Sequence, residues 1–183
     1  MDQFEKAQRF RAMHEGPLFV IPNPWDAGTA RLLASLGFGA LTTTSAGLAY
    51  SLGRQDMSVT REEALKNAAD MVAAVELPVA ADLENGYGDA PEDAAVTIRR
   101  AAEVGLVGGS IEDATGRPDD PIYGFEHAVE RVAAAVEAAR ALPFPFTFVA
   151  RAENFLHGRP DLDDTIRRLQ AFEKVGADVL FAP

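Results

Sequence analysis

Three apolar stretches of this chain run directly into charged residues. Residues 77–81 lead into Asp82, Leu83, Glu84, Asn85, Gly86 and Tyr87. Residues 107–111 lead into Glu112 and Asp113, and residues 146–150 into Arg151, Ala152, Glu153 and Asn154. Short apolar runs bounded by glycine-marked segments read as buried parallel strands. In α/β proteins the carboxyl ends of such strands are where ligands and reacting groups gather. Asp82 and Glu84 are two positions apart, so continued strand conformation directs both to one side. Asp56, in the loop after the second expected strand, and Glu112 complete four acids at one edge. Such acids repel one another unless a cation joins them. Carboxylates without cysteine or a spaced histidine pair suit magnesium or manganese. Asp82 and Asp113 also fit a plainer role as caps of helices or turns.

Arg151 ends a buried strand. A guanidinium there suits a substrate carboxylate or phosphonate; the structural alternative is an ion pair with Glu84, Glu112 or Glu153. Residues 42–48 are small and include Ser45, Ala46 and Gly47, so their amides can face an anion. Trp25 can wall a pocket, and Asp26 reads as the cap of the following helix. His14 and His127 read as helix-surface residues, and His157 lies after a strand. The lysines Lys6, Lys66 and Lys174 all fall on expected helices, which disfavours Schiff-base chemistry.

These residues need a scaffold of alternating elements. Strands are expected at 18–22, 40–44, 79–82, 107–112, 146–150 and 179–182. Helices are expected at 3–14, 26–36, from the Thr60–Glu63 capping box to 75, from Pro91 to 104, at 125–142 and at 161–175. Gly37, Gly105 and Gly176 each stand between a helix end and a strand in a weak internal repeat. Six βα units can form an open doubly wound sheet, which the length alone favours, or most of a (β/α)8 barrel. The chain stops at Pro183, at the end of a strand, and that predicts a (β/α)8 barrel truncated after its sixth strand. No linker tract divides residues 1–183, which read as a single barrel domain.

The 183 residues carry a net charge of -11 and no cysteine. That charge opposes a nucleic-acid partner, and the missing cysteine excludes disulfides and thiolate chemistry. No apolar run is long enough to span a membrane and the N-terminus is not a secretory signal, so a soluble cytoplasmic protein is expected.

The ordered motifs resemble those of the isocitrate lyase/phosphoenolpyruvate mutase superfamily along essentially the whole chain. They are residues 23–27, 43–49, 81–89, 109–113, 150–155 and 176–181. The resemblance implies a (β/α)8 barrel with magnesium at the strand ends. By it, Asp56, Asp82, Glu84 and Glu112 match the metal-holding acids, mostly acting through waters. Arg151 matches the carboxylate-binding arginine, Ser45, Ala46 and Gly47 the turn around the oxo-acid end, and Trp25 the aromatic wall. Members act on small 2-oxo acids or their aldol-like adducts through a stabilised enolate.

Two departures bear on function. The loop 112–123 has neither the cysteine of the isocitrate and methylisocitrate lyases nor the lysine of the phosphonomutase. A full member also has further βα units and a C-terminal helix often exchanged between subunits, so a homo-oligomer is expected of the full-length protein. The leading expectation is a magnesium-dependent C–C lyase on a small 2-oxo or 2-hydroxy carboxylate. Arg151 binds substrate in this reading, and Tyr87, Tyr123 or a metal-bound water supplies the proton. Phosphonopyruvate P–C chemistry and a non-catalytic oxo-acid-binding protein or inactive lyase fragment are the alternatives.

Overall fold

The computed structural model describes residues 1–183. Five parallel strands, β1 (Leu41–Thr42), β2 (Val79–Asp82), β3 (Gly108–Glu112), β4 (Thr147–Arg151) and β5 (Val179–Phe181), lie side by side in chain order. Each step from one strand to the next passes through helix: α3 (Ser45–Ser51) and α4 (Arg61–Ala74), then α5 (Pro91–Glu103), α6 (Phe125–Arg140) and α7 (Leu162–Lys174). Two helices, α1 (Gln3–His14) and α2 (Ala27–Ser35), precede the sheet. The result is a curled half-barrel rather than a doubly wound sheet, since strand order never reverses.

Local chemistry explains the element ends. Asp26 accepts from the Thr29 amide at 2.6 Å and caps α2. Thr60 and Glu63 form the capping box that opens α4. Pro91 occupies the first turn of α5, where no N–H is needed. The main core lies between the sheet and the helix layer. Ile98, Ala101, Ala135, Ala139, Phe146 and Phe148 are among its buried members. Full burial of a side chain the size of Ile98 contributes about 1.5–3 kcal/mol. A second, smaller cluster joins Ala7 and Phe10 of α1 to Ala40, Ala80 and Val107. Gly108 admits that contact, because a Cβ there would stand 2.9 Å from the Phe10 ring.

The structure departs from the sequence expectation at its first strand. Residues 18–22 form no strand; one backbone bond, from the Thr42 amide to the Pro22 carbonyl at 3.2 Å, ties them to the sheet. Leu18 is 99% and Val20 66% exposed, and of this run only Ile21 packs against the smaller core cluster. The sheet therefore has five strands, not six. The second expected strand is also shorter, because Thr44 leaves it to cap α3 through the Gly47 amide at 3.1 Å. His14 is half-buried rather than on the surface. Its ring meets Phe10 and Phe19 edge-on and lines the hollow beneath the strand ends. No helix is long and apolar enough to cross a membrane.

Candidate active site

β2, β3 and β4 are parallel and adjacent, so their last residues arrive at one edge. Register pairs Glu112 with Arg151 directly, and Asp82 with Ser110 one strand over. Arg151 Nη1 lies 3.3 Å from Asp82 Oδ1 and 3.3 Å from Glu112 Oε2. Its Nε and Nη2 reach Glu153 Oε1 at 2.9 and 2.6 Å. One guanidinium thus serves three acids, and its face covers the Phe181 ring at 5.1 Å. Burial disfavours the charged arginine, yet Glu112, Asp82 and Glu153 overcome that and hold its pKa above the usual value.

Asp82 is fixed from its other side. Its Oδ2 accepts from the Ser45 amide at 3.1 Å and from Ser45 Oγ at 2.8 Å. Its own amide donates to Thr43 Oγ1 at 3.1 Å. The small-residue segment around Ser45, Ala46 and Gly47 is therefore the opening of α3, and the anion it faces within the protein is Asp82. Trp25 stands beside Gly47 with 45% exposure and contributes no wall to the hollow.

The strand ends at Asp82, so Glu84 does not share its side by strand alternation. The chain turns instead. Glu84 has φ 49°, Gly86 φ 82° and Tyr87 φ 60°. Left-handed backbone at two non-glycine residues is uncommon and concentrates at functional sites. The turn sends Glu84 back so that its amide bonds Asp82 Oδ1 at 3.2 Å. Glu84 is only 3% exposed, and its Oε1 has no partner. Burial, with the charges of Asp82 and Asp56, pushes its pKa up to about 8. Burial also raises Glu112, with Arg151 opposing the shift. The Tyr87 hydroxyl is buried without a partner, and burial together with Glu84, Asp82 and Glu112 raises it well above 10. Asp56 is exposed and bonds the Met57 amide at 2.9 Å; it reaches this group through its field. No three carboxylate or imidazole groups converge as a ready-made metal-ligand set.

Two hollows flank this group. One, of about 450 Å³, lies on the concave side and is lined by Asp82, Arg151, Ser110, Thr43, Asn23 and His14. The other, of about 570 Å³, lies between the loops and is lined by Glu84, Tyr87, Arg61, Asp89 and Arg117.

Several participants escaped sequence reasoning. Asp113 caps no helix: it is buried, bonds Arg168 at 3.0 Å and accepts from the Glu153 amide at 2.8 Å. Burial raises its pKa despite that pair. Arg131 and Arg168 are buried although they are arginines on helices. Their signal was available, since Arg131 shares a helix face with Ala128 and Ala135, at spacings of three and four. The His157 amide donates to the Glu153 carbonyl at 3.2 Å, and its ring stands 4.0 Å from the Glu153 carboxylate.

Fold and edge together define an α/β barrel-type chain that collects its acids and a half-buried arginine at the strand carboxyl ends. The chain belongs to the phosphoenolpyruvate phosphomutase family, whose model matches residues 10–183, and so to the isocitrate lyase/phosphoenolpyruvate mutase superfamily. It is similar to a solved Burkholderia cenocepacia J2315 protein, provisionally assigned as a lyase/mutase, at 65% identity and a TM-score of 0.97. That match covers 99% of this chain and 65% of the other. It is 32% identical to an oxaloacetate decarboxylase of Bradyrhizobium diazoefficiens, across 96% of this chain and 62% of the relative. It is 30% identical to 2-methylisocitrate lyase of Escherichia coli, across 96% of this chain and 60% of the relative. The chain spans about three fifths of the length of these curated relatives.

Proposed function

We propose that this chain carries the strand-end half of a carbon–carbon lyase site for a small 2-oxo or 2-hydroxy carboxylate, of oxaloacetate-like or malate-like form. The observation that carries the reading is the imbalance at the edge. Three acids, Asp82, Glu112 and Glu153, share the half-buried Arg151, and a fourth, Glu84, is buried next to Asp82 with its Oε1 unpartnered. A second cation relieves that imbalance. Similarity to an oxaloacetate decarboxylase and a 2-methylisocitrate lyase supports the same reaction class.

The residues fit a hydrated divalent ion. Asp82 already gives one oxygen to Ser45 and one to Arg151, while Glu84 keeps an oxygen free. With no three acids converging, waters would bridge most contacts, which magnesium favours. Asp82, Glu84 and Glu112, with Asp56 from its loop, would hold the ion, and manganese has the same donor preference. When bound, the ion supplies electrostatic stabilisation of the oxygen that becomes negative as the bond breaks.

The protein's own groups do the rest. Arg151 exchanges an internal carboxylate for that of the substrate, and the Ser45 hydroxyl and amide stand beside it. With an oxaloacetate-like substrate the bond to the distal carboxylate breaks, carbon dioxide leaves and the bonding pair stays on the pyruvyl fragment as an enolate. With a malate-like substrate the 2-hydroxyl gives its proton to a base and becomes the carbonyl of the 2-oxo product, and the pair stays on the other fragment as the enolate of its carboxylate. In either case the enolate carbon then takes a proton. Tyr87 holds its proton throughout the neutral range and is the donor in this reading. The partner in this reading is a small carboxylate, not nucleic acid, in a homo-oligomer.

Isothermal titration of magnesium and then oxalate, a planar enolate mimic, tests the reading. Magnesium-dependent oxalate binding that Arg151→Lys weakens is the expected result, since an ammonium keeps the charge but loses the fork. A folded protein that binds no oxalate with either metal overturns it. Pyruvate release from oxaloacetate, against phosphate release from phosphonopyruvate, separates C–C from P–C cleavage.

A further inference from the structure

Arg131 is 1% exposed, and no carboxylate pairs with it. A buried charge is costly unless hydrogen bonds compensate it. All of its hydrogen bonds run to main-chain carbonyls of one segment. Nη2 donates to the Asn85 carbonyl, and Nη1 to the Asp89 carbonyl and to the Ala90 carbonyl at 3.1 Å. Its guanidinium lies 4.4 Å from the centre of the Tyr123 ring. Tyr123 donates to Asp89 Oδ1 at 2.6 Å and accepts from Asn85 Nδ2 at 3.1 Å. The Oδ1 of the same asparagine accepts from the Tyr87 amide at 2.9 Å. One continuous set of contacts therefore runs from α6 through Asn85 to the backbone of Tyr87. The Asn85 carbonyl has no other donor, whereas the Gly86 carbonyl is held independently by Arg61 and Thr97.

We infer that Arg131 is a positioning residue: by holding the Asn85 and Asp89 carbonyls against α6, it locks the left-handed turn that aims Glu84 and Tyr87. The inference rests on the lyase reading above and deepens it. Substrate binding and chemistry separate cleanly here. Arg151 and Ser45 stand on β4 and α3, away from the clamp, while Glu84 and Tyr87 ride on the turn it holds. Loosening the turn leaves the carboxylate end of the substrate bound and misplaces the groups that act on it. A displacement of about 1 Å in a reacting group costs roughly 100-fold in rate.

The variants are Arg131→Met, which fills a comparable volume without the charge, and Arg131→Lys, which keeps the charge but not the planar fork. Both are made in the otherwise unaltered protein. Two readouts are compared with thermal stability: hydrogen exchange at the Gly86 and Tyr87 amides, and steady-state kinetics on the cleaved oxo-acid. In Arg131→Met, exchange is expected to accelerate at Gly86 and Tyr87 while α6 and β3 keep their protection. There kcat falls roughly 100-fold and KM stays within about twofold, and Arg131→Lys recovers part of the loss. Uniform acceleration of exchange with a lowered melting temperature makes Arg131 a fold-stabilising residue only, and overturns the inference. Unchanged exchange at Gly86 and Tyr87, or an unchanged kcat despite a loosened turn, overturns it as well. A wild-type protein that cleaves no oxo-acid sinks the lyase reading separately. The exchange experiment then decides the clamp alone, upheld by local loss of protection and overturned by its absence.

Discussion

Replacing Glu84 with glutamine tests the electrostatics of the site without any substrate. The carboxyl is 3% exposed, and its pKa rises from 4.5 to about 8 through burial and the charges of Asp82 and Asp56. A carboxyl whose folded pKa stands above its unfolded value keeps its proton in the native state after the unfolded chain has lost it. Stability therefore falls as pH rises from about 4.5 to about 8, and is insensitive to this group outside that window. At about 1.4 kcal/mol per unit, Glu84 costs about 3 kcal/mol at pH 7 and about 5 kcal/mol above pH 8, relative to acid conditions. Glutamine has nearly the same shape and no charge to desolvate. Urea unfolding of both proteins at acidic, neutral and alkaline pH measures the difference. Glu84→Gln should match the wild type near pH 4 and exceed it increasingly with pH. A difference that stays constant from acid to alkaline pH refutes the argument, since Glu84 would then titrate normally in the fold. Metal addition supplies a second arm. An ion held by Glu84 must displace its proton at pH 7, so titration in buffers of different ionisation enthalpy should reveal proton release that Glu84→Gln lacks.

Two further substitutions probe the same turn. Tyr87→Phe removes a buried hydroxyl that has no partner, so stability should rise by about 1 kcal/mol while turnover falls roughly 100-fold or more. Parallel unfolding and kinetics check both halves, and a loss of stability with full activity contradicts them. Gly86→Ala meets φ +82° and an Ala94 Cα only 2.9 Å from the new methyl. The left-handed backbone and the overpacking together should cost about 2–5 kcal/mol, read as a lower urea midpoint at unchanged m-value; a loss within 0.5 kcal/mol, the ordinary surface range of about that size, refutes it.

Much of the fold was written locally. The Asp26 cap, the Thr60 box, Pro91 at the start of α5, and the glycines after α2, α5 and α7 all act within a few residues of themselves. Each could therefore be read in one dimension. So could the delivery of Asp82, Glu112 and Arg151 to strand ends, because an apolar run followed by a charge states where a buried strand must stop. The apolar run at 18–22 misled for the converse reason. A strand exists only by pairing with another chain segment, and hydropathy alone cannot supply the pair.

Which acid meets which base was a different matter. The Glu112–Arg151 pair follows from sheet register, and the bond from Ser45 to Asp82 from the docking of α3 beside β2. The burial of Arg131 and Arg168 follows from how α6 and α7 lie on the loops. Glu84 takes its high pKa from desolvation that no neighbouring residue in the sequence imposes. Sequence by itself determined the residue types, the alternation of elements and the family; tertiary structure alone decided pairing, burial and protonation, because these depend on distances between segments that are far apart along the chain.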